Sequence, residues 1–217
     1  MKLHFDSNQE YQIEAIRAVT DLFEGQPLSG GDFEFSLTAA GALLSENGVG
    51  NRLALTEEQI WENVKSIQQR HEIKADNKEL QGMNFSVEME TGTGKTYVYL
   101  RSIYELNKLY GFKKFVIVVP SVAIREGVLK NLQITLEHFQ NLYDKAQISY
   151  EVYDSKKVSS LRGFASGNAI QILVINIDSF AKDENVINKP NDKLTGKRPI
   201  EFIQGANPIV IVDEPQN

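Results

Sequence analysis

The feature that most narrows what this chain can fold into is the run Met89-Glu90-Thr91-Gly92-Thr93-Gly94-Lys95-Thr96. Before it, residues 84–89 read as a strand. After it, residues 95–109 carry helical spacing, which Gly111 ends. A glycine-rich turn between a strand and a helix lets successive backbone N–H groups face one anion. The start of the helix adds the positive end of its dipole. In this setting Thr91, Gly92, Thr93 and Gly94 form a phosphate cradle. Lys95 is expected to reach the β- and γ-phosphates as a point charge, and Thr96 to offer its hydroxyl to Mg²⁺. The expected cofactors are therefore ATP and Mg²⁺. Met89 stands where the general motif has its first glycine, which argues against kinases and small GTPases and for motor ATPases.

Such a loop needs an acidic partner at the end of a second strand. Residues 208–212 are apolar and lead into Asp213-Glu214-Pro215-Gln216. Asp213 is the expected Mg²⁺ contact, usually through water. Glu214 is the expected base that orients or deprotonates the attacking water.

The surrounding pattern predicts an α/β fold. Residues 115–119 and 170–175 are apolar runs suited to strands buried on both faces, and 208–212 reads the same way. Residues 148–153 alternate as a strand does. Residues 121–142 read as a helix with Val122, Leu129, Leu132 and Leu136 toward the core. Strands separated by helices imply a mainly parallel sheet flanked by helices. Upstream, Ser7 and Glu10 form a capping-box pattern opening a helix over 7–24. Thr56 and Gln59 form a second one, opening a helix to about His71 with Trp61 in its packed face. The glycines between 25 and 55 suggest a loop with short elements, so a partly helical insertion over 25–82 precedes the phosphate loop. Residues 181–207 hold two prolines and five cations and read as an irregular, exposed excursion. Their lysines are either a local basic patch or a solvated loop.

Composition removes other classes. With no cysteine there is neither a disulfide scaffold nor a thiolate site, and the three histidines lack zinc spacing. A net charge of −6 excludes a globally basic nucleic-acid binder while allowing a local basic surface. The opening residues lack a signal peptide's apolar segment, and the longest purely aliphatic or aromatic runs are far too short to span a bilayer. A cytoplasmic protein without a membrane partner is expected.

The pairing of Thr91-Gly92-Thr93-Gly94-Lys95-Thr96 with Asp213-Glu214-Pro215-Gln216 resembles motifs I and II of superfamily 2 helicase-like motors. Met89 to Tyr99, the Asp-Glu-Pro-Gln run and the opening Phe5-Asp6-Ser7-Asn8-Gln9-Glu10-Tyr11-Gln12 are similar to the restriction (Res) subunit of type III restriction enzymes. The resemblance implies a RecA-like P-loop domain over 83–217 that ends at motif II, an adenine-side helix over 1–24, and an insertion between them. It makes Gln12 the adenine-reading residue, with an ordinary exposed glutamine as the alternative. It places Ser121 and Arg125 (motif Ia), and Asn176 and Ser179 (near motif Ib), on a DNA backbone. The other reading of these four is a helix cap and solvated polar groups.

By the same resemblance the complete subunit is an ATP-dependent site-specific deoxyribonuclease. Its partners would be double-stranded DNA and a modification (methyltransferase) subunit. The chain reads as the first part of such a subunit, without a second RecA-like domain, an arginine finger or a nuclease cluster. Whether it is an enzyme by itself the residues leave open. Two other readings stand beside this one. One is a different superfamily 2 DNA motor, such as a type I restriction subunit or repair helicase. The other is an inactive, truncated nucleotide-binding remnant.

Overall fold

A computed structural model describes residues 5–28, 50–74, 79–80 and 82–214. The chain divides into two compact units, Met1–Ser29 with Leu53–Gly111, and Gly30–Arg52 with Phe112–Asn217. The glycine-rich stretch from 30 to 48 and the Pro215-Gln216 pair lie outside the described residues. Among the described residues no helix is long and apolar enough to cross a membrane.

The first unit is helical. Helix α1 (Glu10–Asp21) packs against α2 (Glu57–Arg70) and α3 (Lys95–Tyr110). Ile16, Ile60, Val64, Val98, Leu100 and Ile103 are buried at helical spacing. Thr56 caps α2 in the predicted reciprocal box. Its side chain accepts from Gln59 N at 3.3 Å, and Gln59 Oε1 accepts from Thr56 N at 2.9 Å. Gly111 ends α3 in the left-handed region, with φ 74°.

The cap expected at Ser7 is absent. Helix α1 starts two residues further on, from Gln9, without a side-chain cap. Asp6 Oδ1 accepts from Asn8 N at 2.9 Å, and the Ser7 carbonyl accepts from Arg101 Nη1 at 2.6 Å. Ser7 is thus tied to α3 through its backbone. Trp61 is half-buried rather than core, with the Lys65 ammonium 5.9 Å from its ring centroid. The strand expected over 84–89 is not formed. Among the described residues the run pairs with no strand, and Phe85 and Val87 are exposed. Strand-forming side chains do not make a strand without a neighbour to share hydrogen bonds.

The second unit holds a four-stranded, all-parallel sheet ordered β2-β3-β1-β4. The strands are β1 (Lys114–Val119), β2 (Ile148–Val152), β3 (Ile170–Asn176) and β4 (Ile209–Val212). Val116 and Val118 register with Leu173 and Ile175 on one face. They join Phe164 of α5 (Leu161–Ser166) and Phe202 and Ile203 of α6 (Pro199–Gly205) in one core. Helix α4 (Val122–Leu142) packs against β1 and β3, burying Val128, Leu132 and Phe139.

Three expectations change in this unit. Val122 is exposed, in the first turn of α4, and the buried face begins at Val128. The segment 181–207 is no exposed excursion. Ile187, Leu194, Phe202, Ile203 and Ala206 are buried in the core and anchor its short helical turns. Strand β4 is not buried on both faces. Among the described residues it pairs only with β1, and Val210 and Val212 are 54% and 47% exposed.

Candidate functional site

In the first unit the phosphate loop is a turn governed by two left-handed glycines, Gly92 at φ 82° and Gly94 at φ 88°. Thr93 closes it locally, its N–H donating to Glu90 O at 3.4 Å and its hydroxyl to the same oxygen at 2.6 Å. Gly94 is the N-cap of α3 and Lys95 its first residue. The loop amides and the dipole of a sixteen-residue helix therefore converge where an anion would sit. Lys95 and Thr96 are half-buried on the first turn. Neither side chain bonds to another described residue, which leaves both groups available to a ligand.

Gln12 reaches this loop from α1. It is 7% exposed, which removes the reading as an exposed helix glutamine. Its Nε2 donates to Thr93 O at 2.9 Å and approaches the Tyr11 hydroxyl at 3.4 Å. A Cβ on Gly94 would lie 2.8 Å from that same nitrogen. The backbone angle favours glycine at 94, and a side chain there would displace the Gln12 amide from the loop.

In the second unit the remaining candidates gather at the carboxyl ends of parallel strands, the edge of such a sheet where ligands bind. Asp213 follows β4, and its N–H donates to Val118 O at 3.0 Å, which holds its backbone beside the end of β1. Glu214 is exposed and sits at φ 52°, a strained backbone for a non-glycine residue. Ser121 caps α4, its hydroxyl accepting from Ile124 N at 3.3 Å. Arg125 is turned onto Glu126 Oε1, at 2.9 Å from Nη2 and 3.2 Å from Nε. Asn176 ends β3 in register with Val119, and Ser179 lies in the short helical turn that follows.

Sequence reasoning missed Asn185. Its Nδ2 donates to Asp178 O at 2.8 Å and to Ser179 O at 3.1 Å, holding the turn that carries Ser179. It also missed Asn51, whose side chain accepts from Lys113 N and Lys114 N and donates to Lys114 O. Both act on backbone far away in sequence or in an irregular turn, so no periodic signal could mark them.

Comparison with known proteins follows the same lines. Residues 7–215 match the family described as type III restriction enzyme, res subunit. The chain is 29% identical over 184 residues to the EcoP15I Res subunit of Escherichia coli, covering 75% of this chain and 19% of that protein. It is 30% identical over 188 residues to the EcoPI Res subunit of Escherichia phage P1, covering 77% and 19%. It is 33% identical over 168 residues to the StyLTI Res subunit of Salmonella typhimurium, covering 69% and 16%. The chain thus spans about a fifth of the length of these relatives.

Proposed function

This chain belongs to the type III restriction enzyme Res-subunit family, a helicase-like motor region with an α/β, RecA-like fold, and from that premise we propose that it is the ATP- and DNA-binding first motor domain of such a subunit. The observation that carries the reading is the phosphate loop. Two left-handed glycines lead directly into the helix whose first two residues are Lys95 and Thr96.

On this reading Thr91, Gly92, Thr93 and Gly94 cradle the phosphates while Lys95 neutralises them. Mg²⁺ takes hard oxygen donors in an octahedral shell and keeps several waters. The Thr96 hydroxyl and the Asp213 carboxylate are, by chemistry, oxygen donors of that kind. When bound, the cation would neutralise charge building on the phosphates. Glu214 holds or accepts the proton of the attacking water. Ser121, Arg125, Asn176 and Ser179 meet the DNA backbone. A phosphate there competes with Glu126 for the Arg125 guanidinium. In the complete subunit ATP turnover drives action on double-stranded DNA, with a modification subunit as partner, in a cytoplasmic setting.

Calorimetric titration of this chain with Mg·ATP tests the reading. Binding is expected, and Lys95→Ala should weaken it by about tenfold or more, the scale of a lost charge-assisted bond. No binding by the parent chain, or equal binding by Lys95→Ala, overturns it. In a complete subunit carrying this region, Glu214→Gln should bind ATP and stop its hydrolysis.

A further inference from the structure

Resting on the DNA reading of Ser121, Arg125, Asn176 and Ser179, we propose that Lys156, Lys157, Arg162 and Lys193 form a further surface that holds the phosphate backbone of duplex DNA, whatever its sequence. These four cations come from two segments far apart in the chain, and the fold draws them together. Lys193 Nζ donates to Lys156 O at 3.4 Å, and Arg162 Nη2 donates to Lys193 O at 3.2 Å. Lys156 and Lys157 sit in a tight turn, where Lys156 N donates to Asp154 Oδ1 at 2.8 Å and Lys157 N to Asp154 O at 2.9 Å. All four residues are exposed, and among the described residues none of them is paired with a carboxylate. The acidic groups of the same turns are Asp154, engaged by Lys156 N, and Asp192. Glu151 lies half-buried on β2, where burial favours its neutral form. The cations outnumber these acids on a chain whose net charge is −6. Gathered like charges repel one another, and a polyanion laid over them removes that repulsion.

Placement selects the polyanion. The sheet is parallel, so its carboxyl strand ends form one edge, in the order β2, β3, β1. Lys156 and Lys157 follow β2, Ser179 follows β3, and Ser121 follows β1. Neighbouring strands lie about 4.8 Å apart, so these three ends span about 10 Å. One DNA strand carries a phosphate about every 3.4 Å of helix axis, so the row faces about three of them. An acidic peptide would match the charge but would gain nothing from this alignment. Lysines meet phosphates as point charges and read no base edge, hence a contact indifferent to sequence.

The experiment follows binding of two short duplexes of unrelated sequence, by fluorescence anisotropy over a salt series. Lys156→Gln with Lys193→Gln should lower the slope of log K against log salt by about 2, one for each phosphate contact. Both duplexes should weaken alike, by roughly fiftyfold at about 0.1 M salt. Lys130→Gln with Lys145→Gln removes the same charge from α4 and the turn after it, and should leave the slope near the parent's. Melting curves identify the folded variants, and Lys156→Arg with Lys193→Arg, which keeps the charge, should keep the parent slope. Equal losses from the two Gln pairs, or no loss from the first, overturn the proposal. Polyglutamate that displaces the duplex as well as unlabelled duplex does marks an acidic protein as the partner and overturns it too. Arg125→Gln reports on the DNA reading alone. If it weakens binding and the lysine pair does not, that reading stands and the proposal falls. If the parent chain binds neither duplex, the DNA reading fails and the proposal fails with it.

Discussion

At the scale of residues, Gly92 and Gly94 look alike in sequence and differ in what surrounds them. Both have positive φ, but a Cβ at 92 meets nothing within 4 Å, whereas one at 94 meets Gln12 Nε2 at 2.8 Å. Gly92→Ala should cost only the left-handed backbone, about 1–2 kcal/mol. Gly94→Ala should cost more and also displace Gln12, and urea unfolding of the two variants checks the order. Lys114 offers a pH test. It is 1% exposed, with its amine donating to Phe164 O at 2.6 Å and Gly167 O at 2.7 Å. Burial, and secondarily the Lys113 charge, pushes its pKa down to about 8 from 10.5. Between those values the unfolded chain holds a proton that the folded chain has released, so this group makes stability rise with pH. The neutral amine keeps two N–H groups for its two carbonyls. Unfolding free energies from pH 7.5 to pH 9.5 should show that rise, and Lys114→Met should lack it.

At the scale of elements, the two capping signals separate cleanly. Thr56 makes its box, so Thr56→Ala should destabilise the first unit by about 1 kcal/mol in thermal unfolding. Ser7 contributes its carbonyl to Arg101 and no cap, so Ser7→Ala should stay within about 0.5 kcal/mol. Equal losses from both substitutions would contradict the observed start of α1. The pattern Ser-x-x-Glu was legible, but the Asx turn at Asp6 and the grip of Arg101 moved the helix start. Neither is a periodic feature. In the same way, the strand over 84–89 was read from its residues alone, although a strand exists only in a pair.

At the scale of the whole molecule, the segment between α1 and the phosphate loop serves both units. Leu53 onward belongs to the first, while Gly50 and Asn51 belong to the second. Asn51 N donates to Ala206 O at 3.0 Å, and its side chain satisfies β1 at Lys113 and Lys114. Asn51→Ala should destabilise the sheet unit by about 2 kcal/mol, since it strands backbone groups of a buried strand. Hydrogen exchange should show the loss in β1 and β4 and leave α1 and α3 unchanged. On the other flank, β4 has no second partner among the described residues and exposes Val210 and Val212. Such an edge favours association. Sedimentation should show concentration-dependent self-association, reduced by Val210→Lys.

The sequence by itself determined the family and the class of fold. Gly-Thr-Gly-Lys-Thr needs no tertiary information to be read, because the backbone angles, charge and hydroxyl it supplies are intrinsic to those residue types. The parallel sheet was equally legible, because runs such as 115–119 and 170–175 are stable only when covered on both faces. Tertiary structure alone decided the rest. It put Gln12 on a loop carbonyl 81 positions away, made Asn51 and Asn185 into clamps, buried the amine of Lys114, and left β4 open on one face. Each of these depends on which backbone groups come to lie opposite one another. That is a property of the packed chain and not of any local run of residues.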